Sequence, residues 1–192
     1  MPLFFSIICI KIKSSILRIY IISVREESNY LGGIEMFKFK FLMDVDEYWN
    51  TIRFYAEKFK LKRRWTVSMV DAFPDNLKTN YPEIDKIVAC TDWGFATVLF
   101  KSKLLAMPKF LSRAYIRHEI RHCAQMEAID GKMREKYGDN LSSIYTSMII
   151  VSDNQNGYGK SLMEADAWLA FFGIYLNIDK VVGKIIKRNW FC

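Results

Sequence analysis

Between residues 44 and 60 the chain reads DVDEYWNTIRFYAEKFK, with apolar side chains at Val45, Trp49, Ile52, Tyr55, Ala56 and Phe59. Spacings of three and four place them on one stripe of a helix. Asp44 stands where an N-cap belongs, and Glu47, three residues on, completes a capping box. The period then changes. Residues 65–70, 86–90 and 95–100 are short and rich in β-branched and aromatic side chains, which predicts three strands. Phe73-Pro74-Asp75-Asn76 and Tyr81-Pro82 are turn signals between the first two, and Asp92-Trp93-Gly94 predicts a hairpin turn between the second and third. Pro108 ends regular pairing.

Helical spacing returns from Leu111 or Ser112 to about Glu135, with Ser112 as the expected N-cap, and Gly138-Asp139-Asn140 breaks it. Residues 141–151 fit a helix or a strand, because periodicity alone does not separate the two in a short apolar run. Residues 152–159, SDNQNGYG, predict a loop, residues 161–176 a strongly apolar helix, and residues 181–187 a short terminal one. The expected class is α+β: a helix, a small mixed sheet of three or four strands, then a helical C-terminal half.

A chain of 192 residues has room for one domain. We place it at 36–192, with residues 1–35 as an N-terminal extension. The extension carries Lys11 and Lys13 inside its apolar stretch and has no small-x-small cleavage site, so it does not read as a signal peptide. Two readings of it stay open. It is an ordinary extension, or it is translated upstream DNA with Met36 as the start, since Gly32-Gly33-Ile34-Glu35 can be encoded by a string resembling a ribosome-binding site. A hydrophobic share of 51% with 26% charged residues excludes a disordered chain. No apolar run reaches the roughly 18 residues of a membrane-spanning helix.

The net charge of +7 favours acidic partners, whether nucleic acid, anionic membrane or acidic protein. The densest basic run, Lys58, Lys60, Lys62, Arg63 and Arg64, reads first as a solvated helix end. The cysteines Cys9, Cys90, Cys123 and Cys192 lack any CxxC spacing, which argues against a zinc ribbon and for a reducing, cytoplasmic location.

The chemistry sits within residues 117–122, Arg117-His118-Glu119-Ile120-Arg121-His122. Both histidines of the chain fall in this H-E-x-x-H segment. On a helix, positions i and i+4 share a face, so two imidazoles there can converge on one Zn²⁺. Glu119 lies beside the first ligand, where its carboxylate can reach a water on the metal and act as general base. A zinc site needs a third protein ligand, and no third histidine exists. Glu164 is the first candidate, because a carboxylate in an otherwise apolar helix is costly to bury unless it is paired or bound. Its alternative role is to cap the helix start near Ser161. Asp166 is the rival ligand; two positions away, it points about 200° from Glu164, so only one of them can face the metal. Cys123 points about 100° away from His122 and suits core packing. Arg117 and Arg121, one turn apart, are expected to pair with carboxylates of neighbouring elements.

HEIRHCAQ, followed some forty residues later by MEADAW, resembles the zincin metallopeptidases and most closely their gluzincin branch, including bacterial and phage zincin-like proteins. The matching residues are His118, Glu119, His122, Gln125 and Glu164-Ala165, and the likeness covers about residues 85–176. The resemblance implies a zincin-like fold, a bound Zn²⁺, and hydrolysis of a peptide or protein substrate. The substrate would add to a sheet edge, taken here as strand 95–100. It also implies an oxyanion donor, for which Tyr158 is the first candidate and Tyr145 the second. Two positions depart from related patterns. Thermolysin-like gluzincins carry an Asp four residues after the ligand Glu, where this chain has Trp168; the aspzincin loop carries an Asp where this chain has Gln155, with Asp153 two residues too early. Two other functions share these residues: a zinc amidohydrolase of another substrate class, and a non-catalytic, metal-containing module that binds a protein or nucleic acid.

Overall fold

The computed structural model describes residues 42–75, 86–157 and 160–189. The extension 1–35, Met36, Tyr81-Pro82, Tyr158, Cys9 and Cys192 lie outside the described residues.

The first helix, α1 (Val45–Lys58), begins as its sequence predicts, with the Asp44 carboxylate accepting the Glu47 N–H at 2.7 Å. The capping box does not close. The Glu47 carboxylate turns instead to Lys109 at 2.6 Å and Arg113 at 2.5 Å, on the helix that packs against α1. Tyr48, Ile52 and Tyr55 are buried along one stripe of α1.

Three strands follow: β1 (Thr66–Val70), β2 (Ala89–Asp92) and β3 (Thr97–Lys101). They form a mixed sheet in the order β1-β3-β2, with β3 parallel to β1 and antiparallel to β2. β2 begins three residues later than the expected 86–90. The hairpin turn spans 93–96, where the Asp92 carboxylate accepts the Phe95 N–H at 2.9 Å and Ala96 takes a left-handed φ of 47°. A 3₁₀ turn, Ser102–Ala106, leads into the long helix α2 (Lys109–Tyr137). Ser112 is not its N-cap: the helix starts three residues earlier, and the buried Ser112 hydroxyl donates to the Leu104 carbonyl at 2.7 Å.

Gly138, at φ 79°, ends α2. Residues 139–155 then form α3 (Asp139–Gln155), which resolves the helix-or-strand ambiguity and absorbs the first four residues of the expected loop. The apolar helix α4 (Leu162–Phe171) stops five residues short of prediction, at a turn around Gly173 with φ 87°. The last helix, α5 (Ile178–Asn189), runs past both ends of its predicted span.

α2 runs through the middle of the fold and touches every other helix and β2. Ile116, Ile120, Cys123 and Ile129 put its apolar face into the main core, where Tyr48 meets Phe100 edge-on at 5.6 Å. The same helix buries His118, Glu119, Arg121, His122 and Gln125. Buried polar groups need partners; β2, α4, the turn after α4 and α2 itself supply most of theirs, while His118 Nδ1 has none. No helix among the described residues is long and apolar enough to cross a membrane.

Candidate metal centre

His118 and His122 project one turn apart from α2, with their Nε2 atoms 3.1 Å from each other. Glu164 reaches them from the first turn of α4, with Oε1 3.3 Å from His122 Nε2 and Oε2 3.5 Å from His118 Nε2. Four tetrahedral ligands bonded at 2.0–2.1 Å stand about 3.3–3.4 Å apart. The contacts, made through two different Glu164 oxygens, are close to that spacing, and one ligand atom from each residue lies within 4.8 Å of the others, so the three could hold a metal ion. Glu164 Oε2 is buried and has no hydrogen-bond donor, as expected of an oxygen meant for a cation. His118, His122 and Glu164 are the one such cluster found among the described residues.

The placement of Glu164 follows from how α4 begins. Ser161 Oγ accepts the Glu164 N–H at 3.1 Å, so Ser161 caps the helix and the Glu164 side chain is left for the histidines. Ser161 is itself held by Asp153, a fully buried carboxylate at the end of α3. Asp153 accepts the Ser161 hydroxyl at 2.6 Å, the Met163 N–H at 3.0 Å and the Asn189 amide at 3.0 Å. One carboxylate thus ties α3, α4 and α5 together at the base of the Glu164 helix.

Asp166 is turned away from the histidine pair and is outside the cluster that could hold a metal. Both of its oxygens face Arg121, whose Nε donates at 2.6 Å and Nη2 at 3.1 Å, and Oδ2 also accepts the Gln125 amide at 2.7 Å. Gln125 is wholly buried and donates from the same nitrogen to the Met163 carbonyl at 3.0 Å. With its NH₂ so engaged, its Oε1 faces His122 Nδ1 at 2.9 Å and accepts that N–H. A proton fixed on Nδ1 leaves Nε2 free to bind a metal. The chain Arg121–Asp166–Gln125–His122 therefore orients the His122 imidazole.

Without a metal the site is electrostatically tense. Burial favours the neutral form of His122, but the Glu164 and Glu119 carboxylates outweigh it and hold the pKa up at about 9. Burial would likewise raise Glu164, yet the two imidazoles hold its carboxyl well below the usual range.

Glu119 points toward β2, where its Oε2 accepts the Thr91 hydroxyl at 2.7 Å. It lines the same cavity of about 540 Å³ as His118, His122, Glu164, Trp168 and Tyr115, with β2 as one wall. The expected edge strand is corrected here. β3, which covers most of 95–100, is paired on both sides, so the edge beside the cavity belongs to β2.

Trp168 packs its ring 5.0 Å from that of His118 and contributes bulk where the thermolysin-like pattern has a carboxylate. Tyr158 lies outside the described residues. Tyr145 stacks on Tyr137 at 4.3 Å and does not line the cavity. Tyr115 does, and the sequence analysis passed over it; its place three and four residues before His118 and Glu119, on the same helix face, was the available signal. Asn154, in the expected loop, also lines the cavity from the end of α3. Arg121 finds a carboxylate as expected. Arg117 does not: it donates to the Phe171 carbonyl and to the Tyr55 hydroxyl. Cys123 is fully buried, and burial raises its thiol far out of the thiolate range; Cys90 is pushed up to about 12 for the same reason.

Searches of family models, curated proteins and solved structures returned no match to the chain.

Proposed function

We propose that the chain is a zinc-dependent peptide hydrolase of the gluzincin type, built on a zincin-like fold, with His118, His122 and Glu164 as metal ligands and Glu119 as general base. The carrying observation is the convergence of these four side chains, from α2 and α4, on one cavity walled by β2, the edge strand of the sheet among the described residues.

A bound zinc ion would polarise the scissile carbonyl and lower the pKa of a water beside it. The chain's own residues do the rest. Gln125 holds His122 in the ligating tautomer. Thr91 steadies the Glu119 carboxylate through Oε2. Glu119 takes a proton from the attacking water as the new C–O bond forms, then gives it to the leaving nitrogen as the C–N bond breaks. The products are a carboxylic acid and an amine. The open edge of β2 offers main-chain partners to an extended peptide. Tyr115 is the described side chain placed to donate to a developing oxyanion; Tyr158 stays a candidate. Three protein ligands opening on a cavity suit catalysis, whereas structural zinc is usually closed off by four. The described cysteines, Cys90 and Cys123, are free thiols, in keeping with the cytoplasmic location we propose.

The test is metal analysis of the purified chain, followed by a screen of a broad peptide library with the zinc-loaded protein and its Glu119→Gln variant. Cleavage by the first and not the second supports the reading. Cleavage by both at one rate removes the assigned base, and zinc binding without any cleavage turns the reading toward a binding module.

A further inference from the structure

Between α4 and α5 the chain reads Phe172-Gly173-Ile174-Tyr175-Leu176. Phe172 is 72% exposed, Ile174 52%, Tyr175 37% and Leu176 45%. Four large apolar residues in five left facing water form the kind of patch that marks a binding surface. The loop is firmly built. The Gly173 N–H donates to the Ala170 carbonyl and the Ile174 N–H to the Leu169 carbonyl, which closes α4 in a Schellman turn. Arg117 holds the Phe171 carbonyl at one end, and Arg121 holds the Leu176 carbonyl at 2.9 Å at the other. Both arginines come from α2. The backbone is thus pinned inward while the apolar side chains are held out.

Lysines stand directly beside them. Lys58 Nζ lies 4.0 Å from the Tyr175 ring centre and 5.8 Å from that of Phe54, which is itself 56% exposed. Lys58, Lys60 and Lys62 line one groove with Tyr175 and Leu176. None of the three forms an ion pair with a described residue. Of the acidic residues in that groove, Glu127 is taken up by the Lys62 and Arg63 N–H groups and the Trp65 indole, which leaves Glu135 and Asp179 against the lysines.

We propose that the loop 172–176, with Phe54 and Lys58, Lys60 and Lys62, is a docking surface for an anionic lipid bilayer. Exposed apolar side chains and unpaired ammonium groups on one patch ask for two things at once, and a bilayer interface supplies both, acyl chains and phosphates. Neither half suffices alone, since stable attachment takes an apolar anchor together with a basic cluster. A second apolar face points the argument by contrast. Leu141, Ile144, Met148 and Val151 form an exposed stripe on α3, but the helix carries no basic residue, so nothing there selects lipid. The proposal does not depend on the hydrolase reading.

The experiment is co-sedimentation of the full chain with large unilamellar vesicles of phosphatidylcholine alone or of equal parts phosphatidylcholine and phosphatidylglycerol. Binding is expected to the mixed vesicles and not to the neutral ones, and to weaken as salt rises. Each basic residue near an anionic surface is worth about a fivefold gain in partition, so the K58Q/K60Q/K62Q variant should bind about a hundredfold more weakly. F172D/I174D should bind at least about tenfold more weakly, because apolar area is withdrawn and charge added. I144D/M148D, on α3, should bind as the parent does. Thermal melts by circular dichroism confirm that each variant is folded; if F172D/I174D is not, the lysine variant and the neutral vesicles decide. Absence of binding to the mixed vesicles overturns the proposal. So does binding that survives the loop and lysine changes, which would place the contact elsewhere, residues 1–41 included. Loss of binding in the α3 variant, or loop-dependent self-association without lipid, overturns it as well.

Discussion

Changing Asp166 to Asn replaces one carboxylate oxygen with an NH₂ group and alters almost nothing in volume, yet it should disturb both stability and metal binding. Asp166 is 3% exposed and accepts three N–H groups, two from Arg121 and one from Gln125. An Asn side chain has one acceptor oxygen. If its NH₂ takes the place of Oδ2, it meets Arg121 Nε and Gln125 Nε2, both donors; if it takes the place of Oδ1, it meets Arg121 Nη2. At least one buried donor is orphaned, at about 1–3 kcal/mol. The Arg121 charge also loses its counter-ion, and breaking such a pair costs about 3–5 kcal/mol when the partner is removed outright. A loss of about 2–4 kcal/mol is therefore expected in urea denaturation. Gln125 keeps only the Met163 carbonyl to hold its Oε1 toward His122, so zinc affinity, measured against a competing chelator, should fall about 10–100-fold. The double variant Arg121→Met with Asp166→Leu separates the two effects. Replacing a buried ion pair with apolar residues of like size is often neutral, so stability should return. Affinity should not, because Gln125 still lacks the Asp166 half of its anchor. Wild-type zinc affinity in Asp166→Asn, or recovery of affinity along with stability in the double variant, would refute the orienting role of this chain.

Further outcomes are expected. Glu119→Gln should keep zinc and fold while hydrolysis drops about 10²–10⁴-fold, whereas Glu164→Ala should lose the metal in elemental analysis, since two protein ligands hold zinc poorly. Because His122 has its pKa raised to about 9 by the nearby carboxylates, zinc must expel a proton at neutral pH. Its apparent affinity should then climb about tenfold per pH unit and level off above pH about 9; the metal-free protein should lose stability as pH rises from the unfolded value of about 6.5 through 9, and a flat profile in either titration contradicts the assignment. Asp153→Ala strips the cap from α4 and orphans the Ser161, Met163 and Asn189 donors, so unfolding should become easier by about 3 kcal/mol and zinc binding should weaken with it, which calorimetry in the presence and absence of zinc measures.

Helical spacing and runs of β-forming residues placed most of the described elements: α1 buries one stripe, and β3 turns Val98 and Phe100 into the core. Their ends were less legible, because distant partners set them. Ser112 has the chemistry of an N-cap, but the Leu104 carbonyl, eight residues back, claims its hydroxyl. Glu47 has the chemistry of a capping box, but Lys109 and Arg113 offer it charge, and its carboxyl is held below the usual range by them. β2 lies later than its apolar run suggests because its ladder to β3 pairs Ala89 with Phe100 and Asp92 with Thr97, which takes in the polar Thr91 and Asp92. The run 152–155 is polar enough to predict a loop, yet Asp153 is buried at the junction of three helices. In each case a contact distant in sequence overrode a correct local preference.

The choice between Glu164 and Asp166 shows the same limit inside the candidate site. Two residues apart on one helix, both carboxylates are largely withdrawn from water, and each needs positive charge. The sequence offers two sources, Arg121 and a metal, and does not say which carboxylate meets which. The rotation of α4 decides, and that rotation is fixed by the Asp153 and Ser161 caps at one end and the Gly173 turn at the other. Arg121 and Gln125 saturate Asp166 with N–H groups. Glu164 is left facing two imidazole nitrogens that stand 3.1 Å from each other. Both nitrogens cannot carry a proton toward it without also opposing one another, and Oε2 has no donor at all. A cation seated between the three groups would remove both conflicts at once.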